Sequence, residues 1–188
     1  MRSNIQKLIR TTTRWRRGTS DYETALVVLV PSVEERIVDL RPSSNANAMA
    51  AHVTILYPFV RTSLLTSDVV SQLRLILSGV RSFTFELSEV GWFGERVLFL
   101  VPNPASPFQE MTQLLTSVFP DQKPYGGEFT EIVPHLTVAE GASPSKLRDS
   151  AHVIKELLPI HADANAVSLM TQDAFGNWAI HSTFELGR

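Results

Sequence analysis

Ala51-His52-Val53-Thr54-Ile55 and Pro134-His135-Leu136-Thr137-Val138 are one pattern written twice. In each, a histidine and a threonine two positions apart are interleaved with aliphatic residues. Extended backbone sends residues i and i+2 to the same face. His52 and Thr54 therefore project together, as do His135 and Thr137, while Val53, Ile55, Leu136 and Val138 project into a core. A histidine and a threonine on a sheet face beside apolar strands cost free energy unless they find partners. Their repetition in one register points to a shared groove rather than to two unrelated sheet histidines. Two similar lobes packed about a pseudo-twofold axis would account for it.

Around these segments the chain reads as alternating strands and helices. Ala25–Val30 is an unbroken apolar run, a buried strand that Pro31 ends. Ser32 is placed to cap a helix carrying Ile37 and Leu40 on one face. Residues 42–50 are polar and small, a loop. After the strand His52–Leu56 and Tyr57-Pro58, Ser67 or Asp68 caps a helix through Ser78, which Gly79 ends. Phe83, Phe85 and Leu87 alternate with polar residues. Gly91-Trp92-Phe93-Gly94 makes a turn and 96–101 returns, so 82–101 is a hairpin. A helix over 106–119, a loop over 120–127 and a strand over 132–139 follow. Pro144 opens a helix to Leu158. Strands over 161–173 and 177–186 meet at Phe175-Gly176-Asn177. The order β-α-β-α-β-β-α-β-α-β-β, with strands joined by tight turns, predicts an α+β fold of antiparallel or mixed sheet with outer helices. A doubly wound parallel sheet is disfavoured.

Composition narrows the function. The 188 residues are 44% hydrophobic and 19% charged, an ordinary globular balance. Cysteine is absent, which excludes a disulfide scaffold, a thiolate metal site and a thiol nucleophile. No apolar run nears the ~20 residues of a membrane span and no hydrophobic leader opens the chain, so a cytoplasmic protein with no membrane partner is expected. Residues 1–20 hold six basic groups and no acid: Arg2, Lys7, Arg10, Arg14, Arg16 and Arg17. Of 17 basic residues 11 then remain, against 19 acids, for residues 21–188. The expected organisation is a basic arm, 1–20, on an acidic body, 21–188. The arm either lies solvated or touches a nucleic-acid backbone.

Two imidazoles and two hydroxyls facing one cavity suit phosphodiester chemistry. With an ordinary pKa near ~6.5, one imidazole can be neutral while the other is charged. One takes a proton from water or a hydroxyl, and the other gives one to a leaving oxygen. The threonine hydroxyls donate to oxyanions. No metal or cofactor is required. Zinc held by His52, His135 and a third histidine is the alternative, which no short-spaced ligand pair supports.

The sequence here resembles the 2H phosphoesterase superfamily, the group of 2′-5′ RNA ligases and cyclic nucleotide phosphodiesterases named for two His-x-Thr/Ser motifs. His52-Val53-Thr54-Ile55-Leu56-Tyr57-Pro58-Phe59 resembles the first motif with its aromatic tail, and Pro134-His135-Leu136-Thr137-Val138-Ala139 the second. The resemblance implies two lobes around a central groove and metal-independent hydrolysis of 2′,3′-cyclic phosphates or 2′-5′ linkages, with RNA ligation as the reverse. It carries catalysis to His52 and His135 and phosphate binding to Thr54 and Thr137. The implied partner is a nucleotide or RNA terminus, and the expected state a monomer. Where many relatives carry a basic residue after the second motif, this chain has Glu140, which favours a small cyclic phosphate over a polynucleotide.

Further candidate substrate contacts are Tyr57, Phe59, Arg61, Trp92 with its neighbour Phe93, and Tyr125. Each competes with a packing or solvated role. His152, His161 and His181 lack the motif context. The competing function is a non-catalytic RNA-binding module resting on the arm and the loop aromatics.

Overall fold

The computed structural model describes residues 21–40, 49–129 and 131–187. The basic arm and most of the 42–50 loop lie outside the described residues. The elements are β1 (Thr24–Leu29), α1 (Pro31–Ile37), β2 (His52–Leu56), α2 (Ser67–Ser78), β3 (Phe83–Phe93), β4 (Val97–Asn103), α3 (Ser106–Val118), β5 (Leu136–Glu140), α4 (Pro144–Lys155), β6 (Ile160–Ala164), β7 (Ala166–Gln172) and β8 (Trp178–Glu185). The strands form one eight-stranded antiparallel sheet in the order β6-β3-β4-β5-β2-β1-β7-β8. It divides into two four-stranded lobes that meet where β5 lies beside β2. The α+β, two-lobed expectation holds, and the sheet is antiparallel rather than mixed.

The local differences have physical causes. Ser32 does not cap α1: Pro31 itself takes the first helical position, where its missing N–H costs nothing. Thr66, not Ser67 or Asp68, caps α2 by accepting from the Val69 N–H at 3.4 Å. The β3–β4 turn falls at 94–96, so Trp92 and Phe93 belong to the strand. The single strand read over 161–173 is two. Asn165 separates β6, on the outer edge of one lobe, from β7, inside the other. These strands stand six places apart, roughly 29 Å in a flat sheet, yet one residue spans at most about 3.5 Å. The sheet must therefore curl. Its ends are tied where the Leu186 N–H donates to Asn165 O (2.8 Å) and Gly187 exchanges backbone bonds with Val80 and Ser82 (both 2.7 Å).

The helices cover one face of the sheet and enclose the main core, with Leu26, Val28, Val53, Ile55, Leu136 and Val138 among its buried side chains. The buried threonines there are satisfied. The Thr24 hydroxyl donates to Val60 O at 2.6 Å and that of Thr112, on α3, to Ile55 O at 2.8 Å. The other, open face carries a smaller apolar cluster of Ala25, Val27 and Met170, with Leu29, Met49, Tyr57 and Trp178 against it.

Gly91 on β3 lies opposite Phe99 on β4. A Cβ built on it would lie 2.2 Å from the Phe99 ring, so the ring occupies the space a side chain would need. Gly91→Val should cost about 1–3 kcal/mol of unfolding free energy by overpacking, measured by urea denaturation. Unchanged stability would show that Phe99 moves aside freely.

Candidate active site

The site follows from one pairing. Val53 of β2 faces Leu136 of β5 in antiparallel register, and both are 0% exposed in the core. One step along, the same register sets Thr54 opposite His135 and His52 opposite Thr137. The alternation of strand residues then puts all four on the open face. Their neighbours agree. His52 and Thr54 pair with Leu29 and Val27 of β1, and Thr137 with Phe99 of β4. The two histidines occupy one diagonal of this square, where Cα atoms of an antiparallel ladder lie roughly 7–8 Å apart. The structure thus brings together the four motif residues that sequence assigned to one groove. One detail differs: β5 begins at Leu136, so His135 stands just before the strand rather than within it.

Both rings are oriented by the same bond. His52 Nδ1 lies 2.7 Å from Ala50 O, and His135 Nδ1 lies 2.8 Å from Val133 O, each two residues back along the chain. A carbonyl only accepts, so in the neutral form of each ring Nδ1 carries the proton and Nε2 is the unprotonated nitrogen. The surroundings then diverge. The His135 ring meets Phe93 edge-on at 4.9 Å between centroids and Phe99 at 5.3 Å. Loss of solvation there lowers its pKa below the ordinary imidazole value, against a smaller opposing effect of the Val133 bond.

Tyr125 completes the first motif from a distant loop. Its backbone is left-handed (φ 51°), a conformation few non-glycine residues adopt. Its N–H donates to Tyr57 O at 2.6 Å, its ring stands edge-on to Phe129 at 5.7 Å, and its phenol hydrogen-bonds the Thr54 side chain. Burial pushes the phenol pKa up to about 12, which keeps its proton in place at neutral pH.

The remaining candidates fall in different places. Tyr57 lies on the open face, its hydroxyl bonded to the Glu23 carboxylate and its ring edge-on to Trp178 at 6.2 Å. Burial is the main cause of its raised pKa. Phe59 is 3% exposed and packs on Phe119 at 5.1 Å, so it belongs to the core and does not line the groove. Arg61 pairs with Asp21 at 3.7 Å. Trp92 lies opposite Leu98, a core residue, and so on the face away from His135; its neighbour Phe93 holds the position beside the imidazole. Sequence reading missed Phe99, hidden inside the continuous apolar run of β4, and Trp178, which starts the last strand. The signal that could have found Phe99 is Gly91 on the partner strand, a gap that invites a ring. Among the described residues no three histidines or carboxylates are grouped to hold a metal ion, and no helix is long and apolar enough to cross a membrane.

Comparison with known proteins places this geometry. A Halalkalibacterium halodurans protein, provisionally named a phosphoesterase, is 28% identical over 141 residues, covering 73% of this chain and 80% of that one. A Bacillus cereus protein of the same provisional name is 26% identical over 172 residues, 86% of this chain and 96% of that one. TT0787 of Thermus thermophilus shares the fold, with TM-score 0.63 at 15% identity over 88% of this chain and 99% of that one. So does E. coli LigT, solved with 3′-AMP, with TM-score 0.56 at 14% identity over 89% and 99%. The profile of the 2′-5′ RNA ligase superfamily matches residues 29–174, a span holding both His-x-Thr segments, and the chain belongs to that superfamily of 2H phosphoesterases.

Proposed function

We propose that this chain is a metal-independent phosphodiesterase that opens 2′,3′-cyclic phosphates, or cleaves 2′-5′ linkages, by acid–base catalysis between His135 and His52. The observation that carries this reading is the doubled motif across the β2–β5 seam, with each Nδ1 tied to the carbonyl two residues back. A phosphate between the two rings meets a base on one side and an acid on the other. His135, held neutral by its aromatic surroundings, takes the proton of an attacking water at Nε2. The water oxygen bonds to phosphorus and the bond to one ribose oxygen breaks. His52, entering as imidazolium, gives its Nε2 proton to that leaving oxygen. The rings then exchange protons with solvent to reset. Thr54 and Thr137 donate to the non-bridging oxygens. The Tyr125 phenol hydrogen-bonds the Thr54 side chain and so restricts its rotation beside the phosphate. Ligation runs the same steps backwards.

Four measurements test this. His52→Ala and His135→Ala should each lower hydrolysis of 2′,3′-cyclic nucleotides roughly 10²–10⁴-fold with the fold intact by circular dichroism. Wild-type turnover in either variant removes the mechanism. Activity should persist in chelator, and strict dependence on added metal would favour the zinc alternative. Tyr125→Phe should reduce kcat about tenfold, the loss of roughly one hydrogen bond to a charged group, with little change in KM. It should cost nothing further in a Thr54→Val background, whereas additive losses would detach Tyr125 from Thr54. The acid limb of kcat/KM should fall below pH ~6.5, because His135 must lose its proton to act. The same shift has a stability consequence. The folded ring binds its proton more weakly than the unfolded one, so its contribution is complete above ~6.5 and is lost as pH falls towards the folded pKa. His135→Gln should flatten that part of the stability–pH curve, and an unaltered slope would contradict it.

A further inference from the structure

The carbonyls that orient the two imidazoles belong to different kinds of peptide. His52 Nδ1 bonds Ala50 O, and the nitrogen of that same peptide is the Ala51 N. Its N–H donates to the carboxylate of Glu34, on α1. The peptide is trans, with N–H and C=O on opposite sides and along one dipole. The Glu34 carboxylate, the peptide and the His52 ring therefore form one chain of hydrogen bonds. Ala51 is 1% exposed, and its own C=O accepts from the Val30 N–H at 2.8 Å, so the β1–α1 junction holds this residue from both sides. In the second motif, His135 Nδ1 bonds Val133 O, and the nitrogen of that peptide belongs to Pro134. Proline has no N–H, so no carboxylate can be linked to the His135 ring in this way.

A carboxylate bonded to a peptide N–H pushes electron density towards that peptide's oxygen, and the bonds of such a chain strengthen one another. A more negative oxygen and a nearby anion both favour an imidazolium over a neutral ring. We propose that Glu34 is a positioning residue for His52: acting through the Ala50–Ala51 peptide, its carboxylate holds the imidazole in place and stabilises its charged form, which selects His52 rather than His135 as the proton donor. The donor role rests on the function proposed above; the link to Glu34 does not. Among the described residues the other titratable groups around His52 are few. β1 sets Leu29 opposite His52 and Val27 opposite Thr54, neither of them titratable. β5 brings His135 on the diagonal and ends at Glu140, which lies opposite Val97 of β4. Tyr125 brings a phenol to Thr54. On α1, Glu35 and Arg36 are exposed.

The experiment follows the ring protons of the five histidines by NMR across pH, in the full chain without substrate, with two of the resonances assigned from the His52→Ala and His135→Ala spectra. Glu34→Gln keeps an oxygen that accepts from the Ala51 N–H and removes only the charge. The His52 midpoint should fall by roughly half a pH unit or more, because the lost anion had favoured the protonated ring, while the His135 midpoint stays. The basic limb of kcat/KM for 2′,3′-cyclic nucleotides should move down by the same amount. Ala51→Pro copies the second motif and cuts the link while the carboxylate remains. It should also lower the His52 midpoint, and Glu34→Gln should add little in that background. An unmoved His52 midpoint in Glu34→Gln overturns the proposal. So does an equal fall at His135, or a Glu34→Gln effect that Ala51→Pro leaves undiminished. A ring that shifts while the rate limb stays supports the link and counts against His52 as the donor, so the two readings fail separately.

Discussion

The contact between Val53 and Leu136 holds the rest of the site in place. Two aliphatic side chains, fully buried against the helices, lock β2 to β5 at the one position where the lobes join. The side-chain period of a strand is two, so a slip of one residue would turn His52, Thr54, His135 and Thr137 into the core and expose the aliphatics. The apolar members of each motif thus carry the geometry, and the polar members inherit it. The cost of burying part of an imidazole is met locally, by the bond each Nδ1 makes to the carbonyl two residues back. That bond also fixes the tautomer of each neutral ring.

Symmetry of backbone does not give symmetry of environment. The two motifs share register and ring orientation, yet His135 sits against Phe93 and Phe99 while Thr54 is met by the Tyr125 phenol. An acid–base pair works only when its members hold different protonation states at one pH. Equal surroundings would give equal pKa values and a pair that is both charged or both neutral over much of the range. The aromatic enclosure lowers the pKa of the His135 ring, and it depends on Gly91, whose missing side chain makes room for Phe99.

The seam residues were legible because two matching tripeptides declare both period and face. The hairpin of β3 and β4 was legible from its alternation, though its turn fell two or three residues later than the glycines suggested. Long-range consequences were not legible. The run from Ile160 to Gln172 has uniform strand character, and only the closure of the curled sheet requires it to change lobes at Asn165. Phe59 and Trp92 looked like groove aromatics because local sequence does not say which face a loop-proximal ring takes; packing on Phe119 and pairing opposite Leu98 decided them. Tyr125 was placed in its loop but not in its role, since its bond to Thr54 spans two elements that sequence leaves far apart.

The same bond addresses a weakness of any site shared between lobes. Catalytic groups must hold their spacing to within a fraction of an ångström, yet one strand pair is a narrow hinge. Tyr125 stands in the connection from α3 to β5, so it belongs to the chain segment leading to His135. It grips β2 from there, with its N–H on Tyr57 O and its phenol on Thr54. Thr112 of α3 adds a third tie by donating to Ile55 O within the same strand. The segment that delivers the second histidine is therefore bonded to the first motif at three points. A left-handed backbone at a tyrosine is an uncommon expense of strain. Here it brings the phenol to the Thr54 side chain.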